Sequence, residues 1–318
     1  MDLTDFYASE SLAGGPESDN VMKGLIDYDK GLSALYADGK NYSVPYNPYT
    51  ISWYYNTEMF ADAGITAVPT TWEELDAACA KLKEAGYEPI TTDDAYFGMM
   101  FQYYMERELG EDAIREMCDK GGDAWNNDQL KQALTALEDF ATKGYFSTAI
   151  KTNAYPAGQQ QFARKEAAMY FNATFMASEN AETAGDDFPY GEFAFTTVPG
   201  GVSDTTVNTL GGQAFMVNAK TESKDATYGL LHYFVGNDCQ NGFSEAGLTA
   251  NTNTATWPDA VKDQQAIVAD TTKTINWGAG FGGDFFDAVV TPTVQQVMLG
   301  ETTADAAFAT ITTEAANY

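Results

Sequence analysis

Few residues in this chain could do covalent chemistry. One histidine, His232, stands between Leu231 and Tyr233; an imidazole can serve as general base to a serine or cysteine nucleophile. The chain has no G-x-S-x-G elbow, no reactive-cysteine context and no H-E-x-x-H helix, so the usual nucleophile-base arrangements find no parts and His232 reads as a packing residue. Asp93-Asp94 and Asp186-Asp187 could supply the paired carboxyls of a glycoside hydrolase, although such neighbours arise readily by chance among 46 acidic residues. Gly278, Gly280 and Gly283 satisfy G-x-G-x-x-G, but Asp284 puts a negative charge where a pyrophosphate would need bare helix amides, so a connector fits better. Cys79, Cys118 and Cys239 are far apart and odd in number. They define no disulfide framework and no zinc site. No cofactor, no metal and no catalytic residue is expected.

Aromatic residues interleaved with polar ones are the stronger signal. They occur at Tyr46-Asn47-Pro48-Tyr49, Trp53-Tyr54-Tyr55-Asn56, Asp93-Asp94-Ala95-Tyr96, Phe171-Asn172-Ala173-Thr174-Phe175 and Asn276-Trp277. Aromatic faces stack on the C–H faces of pyranose rings while Asp, Asn and Gln satisfy the hydroxyl edge. Each cluster taken alone is better explained by a core than by a site. Their meaning depends on where the fold puts them.

Charge narrows the partners. Seventeen Lys and Arg, only three of them Arg, face 46 Asp and Glu for a formal net charge of -29. That field repels nucleic acid, anionic lipid headgroups and phosphorylated ligands. A neutral, hydroxyl-rich ligand or a cation remains open, as does the reading that the charge only keeps the protein in solution.

The elements that must position these residues alternate. Thr71 and Glu74 form a capping box ahead of a helix from about Trp72 to Ala85, with Leu75, Ala78 and Leu82 on one face. Further helices are predicted from Asp128 toward Gly144, from Ser223 through Ala226, Leu230 and Phe234 toward Gly236, and from Thr303 through Ala307 and Ile311 to the end. Strand-like runs span 50–55, 167–171, 192–198 and 213–217. Helices alternating with strands over 318 residues predict an α/β protein of two lobes.

The order of motifs resembles the family 1 extracellular solute-binding proteins of ABC importers. The matching pieces are Tyr42-Ser43-Val44-Pro45-Tyr46 leading into Trp53 through Phe60, then Ala63-Gly64-Ile65, then Pro69-Thr70-Thr71-Trp72-Glu73-Glu74-Leu75. Phe162 through Phe175, Gly211 through Val217, and Leu299-Gly300 followed by Ala304, Ala306 and Ala307 continue the match. No piece is specific alone; their order over nearly the whole chain is.

The resemblance implies a type II periplasmic-binding-protein-like fold, two α/β lobes joined by hinge strands and closing on ligand by hinge motion. The first lobe would comprise 1–48 and 212–258, the second 49–211 and 259–318. It implies a carbohydrate ligand, ABC permease subunits as partners, an extracytoplasmic location (periplasm or cell surface), and contact with a membrane only through a lipid anchor. Ligand-binding candidates are Tyr46, Tyr49, Asp94, Tyr96, Asn172, Phe175, Gly212, Gln213, Trp277, Asp284 and Phe286, with Tyr49, Asp94, Tyr96, Asn172 and Phe175 expected from the second lobe. Family members carry an export signal and further strand-helix units ahead of a segment similar to Asp2-Leu3-Thr4-Asp5, so the first lobe is expected to be incomplete at its N-terminus. A cationic ligand such as a polyamine on the same fold, and less readily a glycoside hydrolase, are the alternatives.

Overall fold

Strand β1 (Ser43–Asn56) is far longer than the 50–55 run predicted for it. Pro45 and Pro48 hid its first half, because proline removes a ladder donor and belongs at edges and bulges. The structure resolves the conflict with an irregularity in register between Pro45 and Asn47, where β1 pairs antiparallel with β5 (Val207–Met216). Among the described residues the remaining strands are β2 (Ile90–Thr91), β3 (Met169–Ala173), β4 (Tyr190–Phe193) and β6 (Lys273–Ile275). This computed structural model describes residues 1–32, 38–185, 187–251 and 256–318. The Asp186-Asp187 pair therefore lies partly outside the described residues.

The chain divides into two compact units. The first comprises Met1–Ile51, Ala173–Glu179 and Thr209–Asn276, and the second Ser52–Asn172, Asn180–Asn208 and Trp277–Tyr318. The boundaries expected at 48/49, 211/212 and 258/259 thus fall at 51/52, 208/209 and 276/277. Physical ties account for the difference. Thr50 donates its hydroxyl to Thr209 O at 2.7 Å, Thr174 N donates to Thr50 O at 3.1 Å, and β6 lies beside β5. Tyr49 and Phe175 accordingly belong to the first unit and not, as expected, to the second.

In the first unit β5 pairs with the leading half of β1 and is flanked by β6. Leu3, Phe6, Val21, Val44, Leu231 and Val235 build its core, with Phe215 and Tyr228 packed on it. The helix Lys224–Phe234 buries Leu231 and leaves Leu230 55% exposed and Ala226 exposed, which corrects the face predicted for it. Ala226, Leu230, Tyr233 and Phe234 continue round through Leu231, Val235 and Tyr228 as one apolar arc wider than half the helix, and the part of it turned to the core is Leu231, Val235 and the partly buried Tyr228, not the part predicted.

In the second unit β2 and β3 pair in parallel, β3 lies beside β1, and β4 runs antiparallel to β1 from Trp53 opposite Phe193 to Asn56 opposite Tyr190. The helix Trp72–Glu84 carries the predicted capping box in full, Thr71 accepting from Glu74 N and Glu74 accepting from the Thr71 amide. Trp72 stacks on Phe140 at 4.5 Å, and Trp53, Phe171 and Phe195 pack against one another with tilted rings at 5.0 and 5.2 Å. The helix Asp128–Lys143 buries Leu130, Ala133, Leu134, Leu137 and Phe140 against helices Phe97–Leu109, Thr291–Met298 and Ala304–Ala315. Its cap is Asn127, one residue ahead of the acid that marked the start in the sequence; Asn127 Oδ1 accepts from Leu130 N at 2.8 Å. Asn127→Ala should lower stability by about 1 kcal/mol in urea titrations, an ordinary cap loss. Leu137→Ala, which empties a fully buried position, should cost about 3 kcal/mol.

Candidate functional site

The second unit places two of the candidates, Asp94 and Tyr96, side by side. β2 ends at Thr91, and the turn that follows carries Asp93, Asp94 and Tyr96. Asp94 is exposed, and its Oδ1 accepts from Tyr155 N at 2.8 Å, while its own amide donates to Asn153 O at 3.0 Å. These two bonds bring residues sixty positions apart into contact. Tyr96 and Tyr155 then meet edge to face at 5.6 Å, an arrangement that suits ring quadrupoles. Tyr155 is 39% exposed. It was not among the sequence candidates; the signal available was the polar-aromatic-proline run Asn153-Ala154-Tyr155-Pro156.

Behind this surface sits a buried polar line. Asn172 Nδ2 donates to Tyr170 Oη at 3.1 Å, and Tyr170 Oη donates to Asp93 Oδ2 at 2.9 Å. All three side chains are fully buried. Burial pushes the Asp93 carboxyl up to about 6, with the neighbouring Asp94 charge acting in the same direction and the Tyr170 hydroxyl opposing it. Burial, together with Asp93, raises the Tyr170 phenol far above its ordinary range. Asn172 is therefore a support beneath the surface, and Asp93, having no exposed area, is not placed to act on a substrate as half of a hydrolase pair.

Gly158 makes the arrangement sterically possible. A Cβ there would lie 2.4 Å from Thr92 O and 3.0 Å from Asp93 N, so the helix Ala157–Ala163 approaches the turn only because residue 158 has no side chain. Gly158→Ala should push the two apart and displace the Asp93 carboxyl from Tyr170.

In the first unit Tyr46 stacks on Phe215 at 4.4 Å and donates its hydroxyl to Gln213 Oε1 at 2.9 Å. Gln213 is exposed. Tyr49 lies over Gly211, where an added Cβ would come within 2.4 Å of the phenol ring. The glycine that a close approach requires is thus Gly211. Gly212 pairs with Pro48 in the ladder, and a Cβ there would sit 3.2 Å from Pro45 Cβ, a tight contact but far less severe than the one at Gly211. Phe175 is half-buried at the start of the helix Phe175–Ala184.

The remaining candidates separate. Trp277 is 40% exposed and belongs to the second unit. Asp284 is exposed at a glycine-rich concavity of about 400 Å³ shared with Cys118, Trp125, Phe285 and Tyr318. Phe286 is only 5% exposed and packs against Phe281 at 4.8 Å, a core position with little ring face left to offer. Trp53, Tyr54 and Phe171, from two of the aromatic clusters, are core residues as well.

His232 has an arrangement that the sequence did not reveal. Its Nε2 lies 3.1 Å from Ser9 Oγ and its Nδ1 contacts the buried Glu17 carboxylate, the order of a nucleophile, base and orienting acid. The serine is not poised to react, because its hydroxyl donates to Phe6 O at 2.6 Å and so offers His232 an acceptor rather than a proton. Phe6 covers the imidazole at 4.6 Å. The packing role read for His232 fits this geometry.

A group that titrates near 6 when folded and near 3.8 when unfolded binds more protons in the folded state between those values. Stability therefore falls as pH rises through that window, the Asp93 contribution being most favourable below it. Asp93→Asn should flatten this part of the pH profile of thermal unfolding, and a profile unchanged by the substitution would count against a raised Asp93 carboxyl.

Residues 2–241 match the family described as bacterial extracellular solute-binding protein. A Brucella abortus protein named only as a binding protein is 25% identical over 223 residues, covering 67% of this chain and 51% of that protein. The sn-glycerol-3-phosphate-binding periplasmic protein of Rhizobium meliloti is 35% identical over 83 residues, 23% of this chain and 19% of its own length. The chain spans about half the length of the first of these relatives. Among solved structures, a chitin oligosaccharide binding protein superposes with a TM-score of 0.76 at 19% identity, covering all of this chain and 78% of that one, and so shares its α/β fold. With three quarters of its length matched in one continuous stretch, the chain belongs to the bacterial extracellular solute-binding protein family.

Proposed function

We propose that this chain captures a neutral saccharide outside the cytoplasmic membrane and hands it unchanged to an ABC importer. The observation that carries the reading is the surface formed by Tyr96, Tyr155 and Asp94. Two perpendicular rings offer a face and an edge to the apolar side of a pyranose, and the exposed carboxylate beside them accepts from its hydroxyls. Tyr46 and Gln213 of the first unit combine the same two chemistries. The fold shared with a chitin oligosaccharide binding protein supports the choice of ligand class. Glycerol phosphate, the ligand named for the Rhizobium relative, fits less well with a chain of net charge -29.

A cation is the second reading. An exposed carboxylate next to aromatic rings is also the chemistry that holds an ammonium group, and Asp94 beside Tyr96 and Tyr155 satisfies it. Hydrolysis is disfavoured by the burial of Asp93.

Thermal unfolding in the presence of chitotriose, xylotriose, maltotriose, spermidine and sn-glycerol 3-phosphate separates these readings. A trisaccharide at about 100 times its dissociation constant should add roughly 2.7 kcal/mol and be recovered intact by chromatography. Stabilisation by spermidine alone would replace the saccharide with a cation, and cleaved sugar would replace capture with catalysis. Tyr155→Ala should weaken trisaccharide binding by about tenfold, some 1.4 kcal/mol, with little change in the unfolding temperature of the free protein.

A further inference from the structure

Beneath the surface of Asp94, Tyr96 and Tyr155 lies a buried polar knot that no binding role yet uses. Thr91, Ser147, Asn153 and Gln161 are each at most 9% exposed. Thr91 Oγ1 donates to Gln161 Oε1 at 2.5 Å, and Gln161 Nε2 donates to Ser147 Oγ at 2.7 Å. Asn153 Nδ2 donates to Thr92 O at 3.1 Å, to Gln161 Oε1 at 3.2 Å and, at 3.4 Å, to Thr91 Oγ1. Asn153 O receives the amide of Asp94. Asn153 therefore holds the turn through both its side chain and its backbone, two residues before Tyr155.

We infer that Asn153 is a positioning residue that sets the Tyr96–Tyr155 ring pair through its bonds to Thr92 and Asp94, and thereby sets affinity for the ligand. The inference rests on the reading of that surface as the binding site. Its logic is one of polarity. Three acceptors meet Nδ2, the Thr92 main-chain carbonyl, the Gln161 amide oxygen and Thr91 Oγ1, and the first two have no proton of their own to offer. A buried acceptor in that position would face two others, which costs more than an absent bond. The turn carrying Asp94 and Tyr96 would then part from the segment carrying Tyr155.

Asn153→Asp keeps the volume and exchanges the donor for an oxygen. Two measurements decide the matter. In the free protein, spectra of ¹³C-tyrosine should show the mutual ring-current shifts of Tyr96 and Tyr155 collapsing in N153D, but not in Thr91→Val, which removes the knot's bonds at Thr91, the long one from Asn153 included, and leaves the bonds from Asn153 to Thr92 and Asp94 in place. For the tightest-binding of chitotriose, xylotriose and maltotriose, N153D should cost about tenfold in affinity in the native background and less than about twofold in Tyr155→Ala, since coupled residues are not additive. Equal losses in both backgrounds, unchanged tyrosine shifts, or T91V disturbing the pair as much as N153D would overturn the inference. If N153D fails to fold, Asn153→Ala removes the donor without adding repulsion and should move both readouts in the same direction by less. If no trisaccharide binds while the ring shifts still collapse, positioning stands and the saccharide reading falls.

Discussion

Backbone hydrogen bonding along β1 is the constraint on which the rest depends. Its fourteen residues supply a ladder to β5 in the first unit and to β4 in the second, and most of them are buried. A strand with two prolines cannot donate at every position. The register irregularity between Pro45 and Asn47 falls beside the first proline, Pro48 keeps its place opposite Gly212, and Gln240 and Asn251 bring side-chain amides to the carbonyls of Tyr46 and Pro45. Tyr46 and Tyr49 owe their positions to this accommodation, and Asn56, at the far end of the strand, caps the next helix by accepting from Met59 N.

Local rules made the helices legible. Thr71 with Glu74, and Thr303 accepting from Ala306 N, are caps whose residue types announce them. The strands were shorter or longer than predicted wherever tertiary pairing and not composition set their ends, as at β4, which stops at Phe193. Where the apolar arc is wider than one face, as in Lys224–Phe234, the periodicity pointed to Ala226 and Leu230, and packing with Phe6 and Val21 buried Leu231 and Val235 instead.

The site was legible in half. Asp94 and Tyr96 lie together in the sequence and could be singled out as a cluster. Tyr155 joins them through one side-chain bond and one main-chain bond between segments about sixty residues apart, and no periodicity encodes that. Aromatic abundance also misled, because the same residue types that stack on sugars build the core. Phe286 is as aromatic as Tyr155, and only its contact with Phe281 and its burial tell the two apart.

The single imidazole has a practical consequence. His232 is the chain's one histidine and is wedged among Ser9, Glu17 and Phe6 in the first unit. Its ring protons are therefore a natural reporter, one unlabelled and unambiguous resonance that senses whether the opening two helices remain docked on the segment that bears it. The tyrosines near Asp93 report independently on the other unit, so the two halves of this polypeptide can be followed separately in the same tube.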